Sequence, residues 1–291
     1  MERITLVTKS STDYELLDSG LEEKLERYGN VLLSRPDPQA LWPRQLGEGG
    51  WAKVQGRYIR EGGEGKWEVK KDLPKEWSVA FGGLQFLIRP TSFKHTGLFP
   101  EQLSNWDWMR ETIQHARKPV SVLNLFGYTG GASLAAAQAG ASVTHVDASK
   151  TAVAWARENA AASGLADKPV RWITEDVIQF VKREIKRGTR YDAIVMDPPA
   201  FGHGPDGELW KIEEDLLPLM DLCAQLLSDN PLFVLMNGYA AGYSPLAFAY
   251  NLESFAKKLG GSIEYGDLTI EEKGSSRYLP CGIFARWRAK N

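Results

Sequence analysis

From residue 121 onward, short apolar runs alternate with longer stretches whose apolar positions recur at helical spacing, with turn residues between them. The runs predict strands at 122–126, 142–146, 170–174, 193–196, 232–236, 262–268 and 282–287. Strand, helix, strand, helix is the order of a parallel sheet wrapped by helices, so the expected class is α/β with seven strands in one twisted sheet. The helix punctuation agrees. Gly140 and Gly164 fall where a left-handed residue closes a helix, and Ser149 is placed to cap the helix that follows it.

Before residue 96 the pattern is different. Short β-like runs at 31–33, 67–69 and 84–88 are separated by turn formers such as Arg35-Pro36-Asp37-Pro38 and Glu61-Gly62-Gly63-Glu64-Gly65. The expected division is a small β-rich domain over 1–95 and a larger domain over 96–291. Between their strands, 101–116 carries Leu103, Trp106, Met109 and Ile113 at helical spacing and predicts a connecting helix.

Composition narrows the function classes. The chain has 291 residues, 43% hydrophobic and 25% charged, enough for a substantial core. It has no apolar run of about 18 residues and no charged-then-apolar leader, so a cytoplasmic protein without membrane association is expected. Its two cysteines, Cys223 and Cys281, form no ligand spacing, so neither a disulfide scaffold nor a metal site is expected. A net charge of −2 supplies no global attraction for a polyanion.

In an open parallel sheet, ligands bind beyond the carboxyl ends of the strands. The first such end continues as Phe126-Gly127-Tyr128-Thr129-Gly130-Gly131. It lacks both the GxGxxG spacing of a dinucleotide site and the Gly-Lys-Ser/Thr of a triphosphate loop. Gly130 and Gly131 instead let a compact ligand without phosphates approach the main chain. Asp147, followed by Ala148, ends the second strand where its carboxylate can accept from both ribose hydroxyls. After the third strand, Asp176 can accept from an adenine amino group while Val177 offers an apolar edge. Either aspartate, taken alone, reads equally well as a helix cap. The fourth strand runs into Asp197-Pro198-Pro199, where two missing backbone donors leave the carboxylate and the local carbonyls as acceptors for a nitrogen that carries hydrogens.

Through Asn124 to Gly131, Asp147, Asp176 and Asp197-Pro198-Pro199, residues 96–291 resemble the class I S-adenosylmethionine-dependent methyltransferases. The resemblance implies a Rossmann-like seven-stranded methyltransferase sheet behind the small N-terminal domain. Leu125 to Gly131 together with Asp197-Pro198-Pro199-Ala200-Phe201 are more narrowly similar to the branch of bacterial large-subunit rRNA methyltransferases of I and K type. Thr96-Gly97-Leu98-Phe99-Pro100-Glu101-Gln102 is similar to that branch's T-G-x-x-x-D-Q segment, which implies that Gln102 and Thr96 reach the methionine end of the cofactor. His95 stands where the branch carries lysine and Leu103 where it carries arginine, and no PUA-like RNA-binding module is evident.

The expected activity is transfer of a methyl group from S-adenosylmethionine to a base of ribosomal RNA, with Asp197, Pro198 and Pro199 orienting the base. Phe201 and Tyr239, with Tyr243 as a further candidate, are placed to stack on a splayed nucleotide. A nitrogen acceptor is favoured over carbon 5, which needs a cysteine thiolate. Asn237-Gly238-Tyr239-Ala240, the turn where the cysteine-dependent relatives carry theirs, has none; Cys223 reads as helix filler and Cys281 is the reserve nucleophile. Residues 201–207 are glycine-rich and read as a lid, with His203 as a candidate proton acceptor. Two other readings stay open: the same chemistry on a small molecule or protein, and a non-catalytic nucleic-acid-binding or assembly factor with a relic pocket.

Overall fold

A computed structural model describes residues 1–61, 64–70, 72–239 and 242–290. Gly62 and Gly63 of the expected turn, and Ala240, lie outside them. The chain forms two compact units that interleave along the sequence: Met1–Leu6, Ser104–Asp267 and Gly282–Asn291 in the larger, Val7–Leu103 and Leu268–Cys281 in the smaller. The sequence expectation was a single cut after residue 95. Two strands, Ser262–Glu271 and Tyr278–Arg288, are long enough to run from one unit into the other.

The larger unit is built on a sheet whose strands lie in the order Glu2–Thr8, Ser262–Glu271, Tyr278–Arg288, Phe233–Tyr239, Ala193–Met196, Ser121–Leu125, Ser142–Asp147 and Val170–Thr174. All seven expected strands are present, and an eighth, Glu2–Thr8, joins the edge. Gly266 allows that approach, because a Cβ there would lie 1.7 Å from the carbonyl oxygen of Ile4. The five strands from Phe233–Tyr239 to Val170–Thr174 run parallel, and Tyr278–Arg288 is antiparallel to its neighbour. Strands covered on both faces need no polar alternation, which is why Ala193–Met196 is apolar and buried throughout.

The helices Val177–Lys186, Ile212–Leu226 and Pro245–Leu259 press Phe180, Leu219, Cys223 and Leu252 into a core shared with Leu123, Ile194 and Val234. Burying each large apolar side chain contributes about 1.5–3 kcal/mol. Helix ends follow the sequence signals: Gly140 and Gly164 have φ of +98° and +68°, and the Ser149 hydroxyl accepts from the Ala152 amide. The expected connecting helix is Leu103–Gln114, preceded by one 3-10 turn, Pro100–Gln102, and it buries Trp106, Met109 and Ile113.

The smaller unit holds a five-stranded sheet in the order Tyr14–Gly20, Glu23–Tyr28, Val31–Pro36, Gly56–Glu61 and Glu64–Val69, with a separate hairpin, Trp77–Phe81 and Leu84–Ile88. Several of these strands have no alternating apolar signature because their inner positions are charged. Glu26 and Arg35 are buried as a two-pronged ion pair, with Arg35 Nε and one Nη each 2.8 Å from a Glu26 oxygen.

Candidate functional site

Within the larger unit, Ser121–Leu125 starts a path outward through Ser142–Asp147 and Val170–Thr174, after which the chain returns to pair Ala193–Met196 on the other flank of the first strand. The crevice beyond Leu125 and Met196 is therefore the point where strand order reverses, the usual ligand position in such sheets. The turn leaving Leu125 is tightly folded. Phe126 and Tyr128 hold positive φ of +57° and +47°, a conformation that costs a non-glycine residue on the order of 1–3 kcal/mol. Gly130 takes φ +91° as the helix N-cap, and Gly131 lies against Trp106, whose ring a Cβ would meet at 2.4 Å. Beneath the turn, Asn124 Nδ2 donates to the Ser133 hydroxyl, which contacts His145 Nδ1 at 2.9 Å. His145 is fully buried, burial lowers its imidazole to about 3, and a Cβ on Gly127 would run into its ring.

A pocket of about 310 Å³ opens over this turn. Its lining brings together Phe126, Tyr128, Asp147, Ala148, Asp176, Val177, Asp197 and Pro199 from the sequence-based set with Gly202, His203 and Gly204 of the expected lid, and adds Ser149 and Trp210. Asp147 is fixed by two backbone amides, Oδ2 accepting from Tyr128 N and Oδ1 from Ser149 N, each at 2.8 Å. Burial raises its carboxyl above the usual range, and these two hydrogen bonds pull it partly back. Each oxygen keeps a second lone pair for a diol. Asp176 is indeed a helix cap, accepting from Gln179 N at 2.9 Å, and it also faces the pocket. Asn124, Gly127, Thr129, Gly130 and Gly131 shape the turn without being among the described residues of the lining; Thr129 is buried, its carbonyl accepting from Asn159 Nδ2.

At the fourth strand's end, Asp197 is half-buried, Pro198 buried and Pro199 exposed. One expectation needs correction. The Pro199 carbonyl does not stand free as an acceptor, because the Trp210 indole N–H donates to it at 2.6 Å. The expected lid is more ordered than its glycines suggest: Phe201–His203 pairs antiparallel with Leu209–Lys211. Phe201 lies outside the lining, 58% exposed, with its ring edge-on to His203 at 5.1 Å. Tyr239 is 37% exposed at the end of its strand, and Tyr243 packs toward Phe248 while its hydroxyl donates to Glu213.

Sequence reasoning missed a buried polar chain behind the neighbouring strand. Asn105 Nδ2 donates to Asn237 Oδ1 at 2.8 Å, Arg286 donates to Asn105 Oδ1 at 3.0 Å, and Arg286 Nε donates to Glu264 at 2.7 Å. Asparagine and arginine scattered over distant elements leave no local signal. The cysteines are both poor nucleophiles: burial raises the Cys223 thiol to about 12, and it raises Cys281, whose thiol donates to the Leu279 carbonyl. Cys281, Thr96 and Gln102 belong to the smaller unit, where all three are buried. No group of three His, Cys, Asp or Glu side chains gathers as a metal cage among the described residues, and no helix there is long and apolar enough to cross a membrane.

The S-adenosylmethionine-dependent methyltransferase family model matches residues 41–241. Over 247 residues the chain is 33% identical to the ribosomal RNA large subunit methyltransferase K/L of Shewanella sp. (strain MR-4), covering 84% of this chain and 32% of that protein. The protein of the same name from Pseudomonas paraeruginosa is 31% identical over 205 residues, 70% of this chain and 27% of its own length. The chain thus spans about a third of the length of these curated relatives. Among solved structures, a SAM-dependent methyltransferase from Agrobacterium tumefaciens superposes with a TM-score of 0.95 at 39% identity, covering 99% of this chain and 95% of that one. The methyltransferase SMU.776, complexed with SAH, shares the fold at 20% identity, with a TM-score of 0.72 over 95% of this chain and 75% of that one.

Proposed function

Because this chain belongs to the S-adenosylmethionine-dependent methyltransferase family, we propose that it methylates a base of ribosomal RNA in the cytoplasm, at a nitrogen rather than at carbon 5. The observation that carries the reading is the single pocket that joins Asp147, Asp176 and Asp197 at the sheet's switch point. The residues fit the cofactor: carboxylates meet the hydroxyls and amino group of a nucleoside, while Phe126 and Val177 supply apolar walls. Asp147 holds the ribose, Asp176 and Val177 the adenine, and the turn from Asn124 to Gly131 the space between them.

When bound, S-adenosylmethionine supplies a methyl group on a positively charged sulfur. Transfer is an in-line displacement, so the chain's own task is to position the acceptor and place negative dipoles beside it. Asp197 and the Pro198 carbonyl accept hydrogen bonds from the base nitrogen, whose proton passes to solvent as the methyl group arrives, and Phe201 and Tyr239 stack on the base. The nitrogen choice is supported by the two thiols, which burial keeps protonated. The RNA choice is supported by the names of the curated relatives.

The test has two parts. Calorimetric titration with S-adenosylhomocysteine gives saturable binding that Asp147→Ala weakens; no binding removes the reading altogether. Nucleoside mass spectrometry of unmodified large-subunit rRNA, incubated with the protein and cofactor, then shows an N-methylated base. A C5-methylated pyrimidine overturns the nitrogen assignment, and methyl transfer to protein or metabolites alone overturns the RNA assignment.

A further inference from the structure

Trp210 forms part of the pocket wall. Its indole N–H donates to the Pro199 carbonyl at 2.6 Å, and its ring packs edge-on to Phe126 with centroids 4.8 Å apart. It is only 4% exposed, yet it lines the pocket wall. Proline fixes φ at positions 198 and 199, and Pro199 also restricts ψ of Pro198, but ψ of Pro199 is left free. The direction of the Pro199 carbonyl, and with it the course of the chain into the hairpin, therefore needs a partner outside the diproline. The indole is that partner for Pro199, and the next peptide is held in turn by Ile212 N, which donates to the Ala200 carbonyl at 3.1 Å. On the other side, the same ring rests on Phe126, whose backbone begins the nucleoside turn in a positive-φ conformation.

We propose that Trp210 is a positioning residue that locks the Pro199 peptide and thereby ties the acceptor corner to the cofactor turn. The proposal rests on the reading of Asp197-Pro198-Pro199 as the corner that orients the acceptor. The Pro199 carbonyl is thereby engaged, and the course of the chain out of the corner depends on a side chain 13 positions downstream of Asp197. Gly202 pairs with Trp210 across the hairpin.

The test replaces only the N–H. The sulfur isostere β-(3-benzothienyl)alanine at position 210 keeps the ring's shape and removes the donor; Trp210→Phe is a second, smaller replacement. Expected with the isostere is amide exchange at Ala200 to Gly204 at least about tenfold faster, with the Ser121–Leu125 and Ala193–Met196 strands unchanged. S-adenosylhomocysteine affinity stays within about threefold while kcat on unmodified large-subunit rRNA falls about tenfold, the size of one lost hydrogen bond. Unchanged exchange and kcat overturn the proposal. So does a loss of S-adenosylhomocysteine affinity as large as the loss of kcat, which makes Trp210 a cofactor wall, or faster exchange throughout the sheet, which makes it simple core. If the unaltered protein transfers nothing to the rRNA, the RNA reading falls and the exchange data alone decide on Trp210.

Discussion

His145 illustrates what one buried side chain contributes beneath a ligand turn. Its imidazole is held at about 3, whereas an unfolded chain's titrates near 6.5, so between those values the unfolded state binds a proton that the folded state refuses. Stability from this group is complete above pH 6.5 and is lost as pH falls toward 3, amounting to about 2 kcal/mol by pH 5. His95 has the same direction of shift, so the comparison has to be with a variant. In urea titrations, the stability advantage of the unaltered protein over His145→Asn should shrink by about 2 kcal/mol between pH 7 and pH 5. Asp147 works in the opposite sense for ligand. Its raised carboxyl must ionise before it can offer charge-assisted bonds, so S-adenosylhomocysteine affinity should begin to fall on acidification at a pH above the ordinary aspartate range. Asp147→Asn turns one acceptor into a donor facing a backbone amide and should weaken binding about 10- to 100-fold by calorimetry. Asp147 was legible in the sequence because a strand ends on it. His145 was not, since nothing local distinguishes a strand histidine that lies under a glycine.

The strand-turn-helix element that begins at Ser121 was read almost completely from its own residues. Apolar strand, glycine turn and alanine-rich helix are local signals, and the register follows from burial. What the sequence did not disclose is why the second glycine is needed: Gly131 has no unusual φ, and only the position of Trp106, 25 residues earlier, excludes a side chain. Gly131→Ala should cost about 1–3 kcal/mol and lower the melting temperature, because a buried indole has to move. The hairpin from Phe201 to Lys211 was read as a lid for the same reason in reverse. Its glycines suggest a loose loop, whereas Phe201–His203 pairs with Leu209–Lys211, whose Trp210 donates to the Pro199 carbonyl.

At the scale of the whole chain, periodicity located the large sheet and missed much of the small one. In Glu23–Tyr28 the inward positions include Lys24 and Glu26, so a pattern that equates inward with apolar fails there. Glu26 takes Arg35, Tyr14 and Tyr28 as partners in a buried network. Removing one member strands the others, and Glu26→Ala should destabilise the smaller unit by about 3–5 kcal/mol, read as an earlier unfolding step in calorimetry. The division into units was also hidden from a left-to-right reading, because residues 268–281, the adjoining ends of two long strands and the turn between them, belong to the small unit.

The contact between Ile4 and Gly266 has a consequence for biosynthesis. The peptide Glu2–Thr8 leaves the ribosome about 250 residues ahead of its hydrogen-bonding neighbour Ser262–Glu271. At about 5–20 residues per second the nascent segment waits on the order of 10–50 s without its mate. The sheet's flank is sealed only once Ser262–Glu271 has emerged, and a chain stalled before residue 262 carries that peptide unmatched.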